Sequence, residues 1–313
     1  MKTTIGILIL AILAPLTAEI LNGSTRLSEL GSWNVLGGTI LPYAFLVIVL
    51  AYFVQGAVTR ASTLFLLPIA GIVVEGLIVK SFFNISFSDL SVLGGVGVLG
   101  GVQWPWTLSL IASHAFVTFL IPITLAMFLI KEIKVGKVAA YFSMAVLTLF
   151  IGWTTVIALH SFSGYWMKLF ALVLIIAGSV YLSRAVRVNS SSGVSVPTYV
   201  FFIVGFLFPV LNWLTSFFIA TKAPLVIITA QLIFICAYLY FLWTQWFNES
   251  TSTYKHLAFI AGYYIPFAVG ITLAGIKRGV PDYKIIGICL SVGIVVLLIT
   301  AYRYFAQEKG VVK

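Results

Sequence analysis

The sequence predicts an all-α fold: a polytopic transmembrane helical bundle of about ten spans, with both termini on the cytoplasmic side. Three observations predict it. Of the 313 residues, 61% are hydrophobic and 8% are charged, and a mean hydropathy of +1.14 excludes a protein that folds in water. The apolar residues form runs that are long enough to cross a bilayer, roughly 17–25 residues each. The Lys and Arg residues fall in the short connections between these runs.

Ten runs qualify as spans by length and apolar composition. They are 3–21, 38–58, 61–83, 105–130, 138–160, 165–186, 197–221, 224–246, 256–276 and 284–305. The first run also fits a cleaved signal peptide, since Lys2 precedes the apolar residues and the small Ala18 follows them. Because the run continues to Leu21, we expect it to be retained as a helix. Prolines inside four later runs predict bends at Pro68, Pro122, Pro209 and Pro266.

Residues 1–313 form a single membrane domain in this interpretation. The two longest connections, 22–37 and 84–104, are too short to hold a soluble domain. Any functional site therefore lies within the bundle or just above it.

The basic residues predict the orientation of the bundle. If the N-terminus is cytoplasmic, eleven of the 18 Lys and Arg residues lie inside and seven outside, in agreement with the positive-inside rule. The connection 277–284 carries three of the outer seven and opposes the rule. The formal net charge of +10 therefore reflects topology, and we expect the lipid bilayer of the cell membrane, not nucleic acid, as the partner. Two N-x-S patterns that would face outside, at Asn22 and Asn84, are candidate N-glycosylation sites.

Three histidines, His114, His160 and His256, raise the question of a haem site. A b-type haem in a membrane needs two histidines at one depth on facing helices, and these three are predicted at different depths. His114 lies about 9 residues, or ~13 Å, inside its helix, His160 at an outer end and His256 at an inner end. His114 also has no second His or Cys three or four residues away to share a zinc ion. We expect no cofactor, no metal ion and no catalytic residue.

Two other patterns are interpreted as structural. Cys236 and Cys289 lie within apolar runs, where a thiol is usually a small packing residue. Gly95, Gly97 and Gly100 match G-x-G-x-x-G, which binds a pyrophosphate only between a strand and a helix of a βαβ unit. Here the pattern connects two spans, so it predicts a loop. Four tryptophans near outer helix ends fit an aromatic belt: Trp33, Trp104, Trp106 and Trp166.

Four polar side chains are predicted at one level in the outer half of the bundle. Glu75 lies about 8 residues, or ~12 Å, below the outer end of its span, and His114 lies at nearly the same depth on the next span. Asn212 and Gln231 lie in the same half of two later spans. This candidate polar cluster forms either an outward-opening pocket or a hydrogen-bonded clasp between helices. Lys80, nearer the outer end, is expected to extend to water.

The first 125 residues resemble a family of bacterial and archaeal polytopic membrane proteins of uncharacterised function. The resemblance rests on Ala18-Glu19-Ile20-Leu21-Asn22-Gly23-Ser24-Thr25, Glu75-Gly76-Leu77, Val79-Lys80-Ser81-Phe82-Phe83, Asp89-Leu90, Gly101-Val102-Gln103-Trp104-Pro105-Trp106, His114-Ala115 and Pro122-Ile123. The chain departs from the family at Val74, where a second acidic residue is expected, and at Ser113, where an aromatic is expected. The resemblance implies the first hairpin, which is the pair of spans 61–83 and 105–130 joined by the connection 84–104, and no particular activity.

Two looser resemblances concern function. An acidic and a basic residue on one span, with a histidine on the next, are similar to the CAAX-processing and bacteriocin-processing intramembrane proteases. Those enzymes activate water with paired Glu and two His, and this chain lacks the adjacent second Glu and a second deep His. In size and layout the chain also resembles the hydrophobic subunit that accompanies the haem subunit in the b-type cytochrome complex of thermoacidophilic archaea.

The sequence therefore leaves three functions open. The first is a non-catalytic integral membrane subunit of an archaeal respiratory electron-transport complex, with a haem-bearing protein as its partner. The second is a small-solute secondary transporter with a polar pocket that opens outward. The third is a degenerate intramembrane protease-like protein. We also expect Glu75 and His114 to interact and to hold the first hairpin in shape.

Overall fold

A computed structural model describes residues 2–55, 61–84, 97–131, 133–158, 165–186, 195–215, 224–248 and 251–308. These residues are almost entirely helical, and their one sheet is a two-stranded hairpin. The apolar helices are α1 (Thr4–Ile20), α2 (Trp33–Val54), α3 (Ser62–Ile78), α4 (Trp104–Ile130), α5 (Lys137–Ile157), α6 (Tyr165–Ala185), α7 (Thr198–Leu214), α8 (Leu225–Trp246), α9 (Thr253–Arg278) and α10 (Pro281–Gln307).

Seven of these described helices are long and apolar enough to cross a membrane, namely α2, α4, α5, α6, α8, α9 and α10. The remaining three, α1, α3 and α7, are apolar but shorter, with 10–17 residues. The predicted all-α class is confirmed, and the long apolar helices are those of a multi-pass membrane protein. The predicted number of ten spans includes the three shorter helices.

Two helix ends differ from the predicted boundaries by five residues each. Helix α2 begins at Trp33 and not at residue 38, because the Ser32 hydroxyl accepts a hydrogen bond from the Val35 amide and caps the helix there. Helix α3 ends at Ile78 and not at residue 83, because Lys80 adopts a φ of 63° that ends a right-handed helix. The predicted connection 22–37 is correspondingly shorter.

Contacts between connections define two ends of the bundle. Ser28, after α1, donates its backbone N–H to the Asp282 carboxylate at the start of α10 over 3.0 Å. At the far end of α2, the Gln55 side-chain amide donates to the Val135 carbonyl, which precedes α5. We call these the Ser28 end, predicted to face outward, and the Gln55 end, predicted to face the cytoplasm.

The core between α4, α7, α8 and α9 is aromatic. Phe116 of α4 lies against Phe208 of α7 and Phe259 of α9, with ring centroids 4.6 and 5.3 Å apart. Phe208 also contacts Tyr238 of α8 at 4.2 Å. These rings are buried, so they join the first hairpin to the second half of the chain.

The predicted glycine-rich loop contains a β-hairpin where the structure describes it. Strand β1 (Val98–Leu99) pairs antiparallel with β2 (Val102–Gln103). The two turn residues, Gly100 and Gly101, have φ of 63° and 69°, as a two-residue type I′ turn requires. Gly97, also at positive φ, precedes β1, whereas Gly95 lies outside the described residues.

Candidate functional site

Glu75 and His114 are in contact inside the bundle. The Nε2 atom of His114 lies 3.2 Å from Oε1 of Glu75. The His114 side chain is 7% exposed, and the Glu75 side chain is 13% exposed. Glu75 lies three residues before the end of α3, nearer to the helix end than predicted, and His114 lies ten residues into α4. The pair therefore joins α3 and α4 near the Ser28 end.

The imidazole of His114 is held on both nitrogens and on one face. Its Nδ1 atom lies 2.9 Å from the hydroxyl of Thr118, one helical turn further along α4. The ring of Tyr43 from α2 stacks on it, with centroids 5.8 Å apart and planes 23° apart. Since the hydroxyl of Thr118 can donate or accept, the contact is compatible with either neutral tautomer and with the imidazolium form.

The second oxygen of the Glu75 carboxylate has its own donor. Ser81 donates its hydroxyl to Oε2 of Glu75 over 2.6 Å, and Trp106 donates its indole N–H to the Ser81 hydroxyl over 3.1 Å. Ser81 reaches the carboxylate because the chain turns back over the end of α3. Trp106 is 8% exposed, so its predicted place in the aromatic belt is wrong.

Glu19 of α1 brings a second carboxylate to this site. It is hydrogen-bonded to the Tyr43 hydroxyl and lies close enough to His114 and Glu75 for electrostatic interaction. The Thr25 hydroxyl donates to Oε2 of Glu19 over 2.8 Å. We call Glu19, Tyr43, Glu75, Ser81, His114 and Thr118 the Glu75 cluster.

Glu19 is not among the site residues predicted from the sequence. A signal was present, because Glu19 and Glu75 are the two acidic residues that fall inside the ten predicted spans. An acidic residue within an apolar run is expected to have a functional or pairing role. Glu19 is near the end of its run, where exposure to water is the simpler expectation.

Stretches of π-helix meet at this cluster. Glu19 lies in Leu16–Ile20, Glu75 lies in Ile72–Ile78, and Ala115–Leu120 begins directly after His114. The Thr17 hydroxyl of the first stretch lies 2.5 Å from the Val117 carbonyl of the third. A π turn displaces side chains from the regular helical positions and frees backbone carbonyls, and such turns are frequent at functional sites.

The predicted four-residue layer is divided between two faces of α4. Asn212 of α7 donates its amide to the Ser113 hydroxyl over 2.9 Å and to the Ser109 carbonyl over 3.2 Å. Gln231 of α8 donates its amide to the Pro105 carbonyl over 3.0 Å. Through these contacts both residues hold α4 to the second half of the chain, whereas His114 faces α2 and α3.

Lys80 does not extend to water as predicted. Its side chain is 3% exposed, and the ammonium donates to the carbonyls of Leu77 and Ile78 over 2.9 and 3.2 Å. It also lies 5.8 Å from the centroid of the Tyr165 ring. Lys80 thus caps the last turn of α3, and burial lowers its pKa to about 8.

The other predicted positions lie apart from the cluster. His256 donates from Nε2 to the Trp246 carbonyl over 3.0 Å, and His160 lies outside the described residues. Asn22 donates its side-chain amide to the Ala18 carbonyl over 3.0 Å, which engages the nitrogen that glycosylation would modify. Asn84 ends a described segment and is half-buried. Cys236 and Cys289 are exposed on the helix surface.

Within the described segments, no three His, Cys, Asp or Glu side chains are grouped so that they could hold a metal ion. Compared with family models, curated proteins and solved structures, the chain matches none of them.

Proposed function

We propose that the chain is a ten-span secondary transporter of the cell membrane that moves a small solute together with a proton, and that the Glu75 cluster is its proton site. The observation that supports the proposal is the convergence of three titratable side chains. Glu19, Glu75 and His114 come from α1, α3 and α4; Glu75 and His114 are in hydrogen-bonding contact, and Glu19 lies close enough to interact with both electrostatically. Carboxylate and histidine chains inside membranes are typical of proton relays in transporters.

The charge of the cluster supports a proton-binding role. Two carboxylates and one imidazolium would carry a net negative charge, and isolated charge is costly in a membrane interior. One more proton bound by the Glu75 cluster would neutralise this net charge and so lower the cost of burying it. A solute or a conformational change that alters the hydrogen bonds then changes proton occupancy, which is the coupling that a secondary transporter needs.

Contacts at the two ends of the bundle support ten spans. With ten crossings, the connections after α1 and α9 lie on one side, in agreement with the contact of Ser28 with Asp282. The connections after α2 and α4 then lie on the other side, in agreement with the contact of Gln55 with Val135. The pairing of Gln55 with Val135 requires the shorter helix α3 to count as a crossing, and the pairing of Ser28 with Asp282 then requires the shorter helix α7 to count as well.

Proton-coupled uptake into proteoliposomes tests the transporter function. The purified protein is reconstituted with a pH-sensitive dye inside, and amino acids, sugars, organic acids, amines and nucleosides are added in turn. We expect one class to move protons with the wild type and not with Glu75→Gln. Glu308→Gln, the same change directly after the last helix, α10, is the matched control and keeps the activity. If no class moves protons with the wild type, the proposal is wrong.

The other two functions predicted from the sequence stay predictions. A respiratory subunit would co-purify from its native membrane with a haem protein, and the absorption spectrum of the purified material tests this. A hydrolase would need Glu75 to activate a water molecule. Both oxygens of that carboxylate are already engaged by His114 and Ser81, an arrangement that favours proton binding over water activation.

A further inference from the structure

The segment Asn22–Ser32, which we call the strap, connects the end of α1, which carries Glu19, to the start of α2 and contacts the turn between α9 and α10. It leaves α1 three residues after Glu19 and forms one short helical turn at Leu27–Glu29. It then ends where Ser32 caps α2. Because the strap lies between two anchored points, its position depends on the contacts described next.

The first contacts bind the strap to the Glu19 carboxylate. Thr25 is 5% exposed and donates its hydroxyl to Glu19. The backbone amides of Ser24 and Thr25 donate to the Glu19 carbonyl over 3.0 and 3.2 Å. Thr25 therefore covers this carboxylate on the side of the Ser28 end, and a displacement of the strap would uncover it.

The second contacts bind the strap to the turn between α9 and α10. Both the backbone N–H and the hydroxyl of Ser28 donate to one oxygen of Asp282. The Arg26 guanidinium lies 5.9 Å from the ring centroid of Tyr283, and its hydrogen bond with the Tyr283 hydroxyl raises the Arg26 pKa. Gly23, at a φ of 73°, lies against Ile271 of α9.

These contacts differ in how easily they open. The contacts of Ser28 and Arg26 are at the exposed surface, where water replaces a lost hydrogen bond at little cost. Gly23 at one side and Gly31 at the other allow the backbone to rotate, and space around Gly31 is open. Thr25 is buried against the cluster. The strap can therefore leave the α9–α10 turn before it leaves Glu19.

We propose that the strap is the outer gate of the Glu75 cluster, latched by Ser28 on Asp282. When the latch opens, Thr25 moves off Glu19, and water and solute reach the carboxylates from the Ser28 end. The gate couples α1 and α2 to α9 and α10, since Ser28 lies between the first two helices and Asp282 between the last two. This inference rests on the proposed transport function, but its test does not.

The test locks the latch with a reversible bridge. Ser28→Cys and Asp282→Cys are combined in a chain that also carries Cys236→Ala and Cys289→Ala, and the pair is bridged by a short thiol-specific linker that reductant cleaves. The readout is the rate at which a water-soluble carbodiimide modifies Glu19 and Glu75, measured by mass spectrometry. Ser28→Cys alone, given the same linker, is the control for the treatment.

We expect modification in the bridged protein to be at least about tenfold slower than after cleavage, because labelling then depends on opening of a locked segment. Asp282→Asn, which weakens the latch without a bridge, speeds modification. Equal rates with and without the bridge would overturn the gate and leave the transporter proposal standing. If the rates differ but the protein moves no protons with any solute, the gate proposal stands and the transporter proposal is wrong.

Discussion

The cost of a carboxylate inside an apolar bundle explains the arrangement around Glu75. A buried charge is tolerated when it is paired and hydrogen-bonded. Glu75 has a partner on each oxygen, the imidazole of His114 and the hydroxyl of Ser81. Each donor is in turn fixed by another group, His114 by Thr118 and Ser81 by Trp106. The stability of the pair thus depends on its neighbours.

A double-mutant cycle measures the coupling of the pair. We expect Glu75→Leu and His114→Leu each to lower thermal stability in detergent, because each leaves the other residue buried without its partner. The double variant loses less than the sum of the two. Membrane polar contacts of this kind contribute on the order of 0.6–2 kcal/mol, so the coupling has that size. Additive losses would mean that the contact contributes nothing to stability.

Lys80 gives a pH dependence with a definite sign. Its pKa is lowered to about 8 in the folded protein from an ordinary value of 10.5. Between these values the unfolded chain binds more protons than the folded one, so stability rises with pH across that window. Between pH 8 and pH 10, we expect the melting temperature of the wild type to rise by roughly 2–4 °C relative to that of the Lys80→Met variant. A difference that is constant with pH would contradict the buried ammonium.

The sequence predicts a site residue correctly where a polar side chain lies within an apolar run. Glu75 and His114 were predicted on that ground, and the structure brings them into contact. Glu19 and Ser81 were not predicted as part of the site. Ser81 reaches it through the chain reversal after Ile78, and Glu19 reaches it through the rotation of α1. Neither the path of a turn nor the rotation of a helix leaves a periodic signal in one sequence.

At the scale of elements, close helix packing depends on glycines at two crossings. A Cβ at Gly205 of α7 would collide with the carbonyl oxygen of Phe259, and one at Gly262 of α9 would collide with that of Phe202. A Cβ at Gly71 of α3 would come within 2.6 Å of the Ile111 Cα atom. Small residues let membrane helices approach closely enough for backbone contact.

Alanine substitution tests the crossing of α7 and α9. We expect Gly205→Ala and Gly262→Ala to lower stability by about 1–3 kcal/mol each, as overpacking does. Gly270→Ala, in the same helix α9 but with open space around it, is the matched control and changes stability by less than about 0.5 kcal/mol. The measurement is unfolding in detergent. Equal effects at Gly262 and Gly270 would contradict the tight crossing.

Elements were predictable in order and in apolar character but not in length or in their irregular parts. Each of the ten predicted runs corresponds to an apolar helix, because run length and composition determine where a helix can be buried in lipid. The π turns at Glu19 and Glu75 were not predicted. They depend on tertiary contacts such as that of Thr17 with the Val117 carbonyl, which no local propensity encodes.

For the whole molecule, the contacts at the two ends of the bundle predict which segments share a side of the membrane. The Ser28 end contains Glu29 and the region before Asp282, and the Gln55 end contains the segment around Val135. The bias of basic residues predicts that the Gln55 end is cytoplasmic. The connection 277–284 carries Lys277, Arg278 and Lys284 at the other end. The predicted orientation therefore depends on the difference in the number of basic residues between the two ends, and it is measured directly as follows.

Single cysteines in a chain with Cys236→Ala and Cys289→Ala provide that measurement. Exposed positions are available at both ends, Glu29 and Lys277 at the Ser28 end and Lys134 at the Gln55 end. With a membrane-impermeant maleimide, we expect Glu29→Cys and Lys277→Cys to react in intact cells, and Lys134→Cys only after permeabilisation. Asp89→Cys, in the part of the chain that the structure does not describe, is predicted to react like Glu29→Cys.

Each labelling pattern leads to a different conclusion, because the packing predicts which positions share a side and the basic residues predict which side is cytoplasmic. Reaction of Glu29→Cys and Lys277→Cys on opposite sides would contradict the contact between the strap and α10, and with it the gate. Reaction of all positions in intact cells would mean that one of the three helices α2, α3 and α4 does not cross the bilayer. The inverse pattern would preserve the bundle but turn the Glu75 cluster toward the cytoplasm, and its proton would then be taken up from the inside.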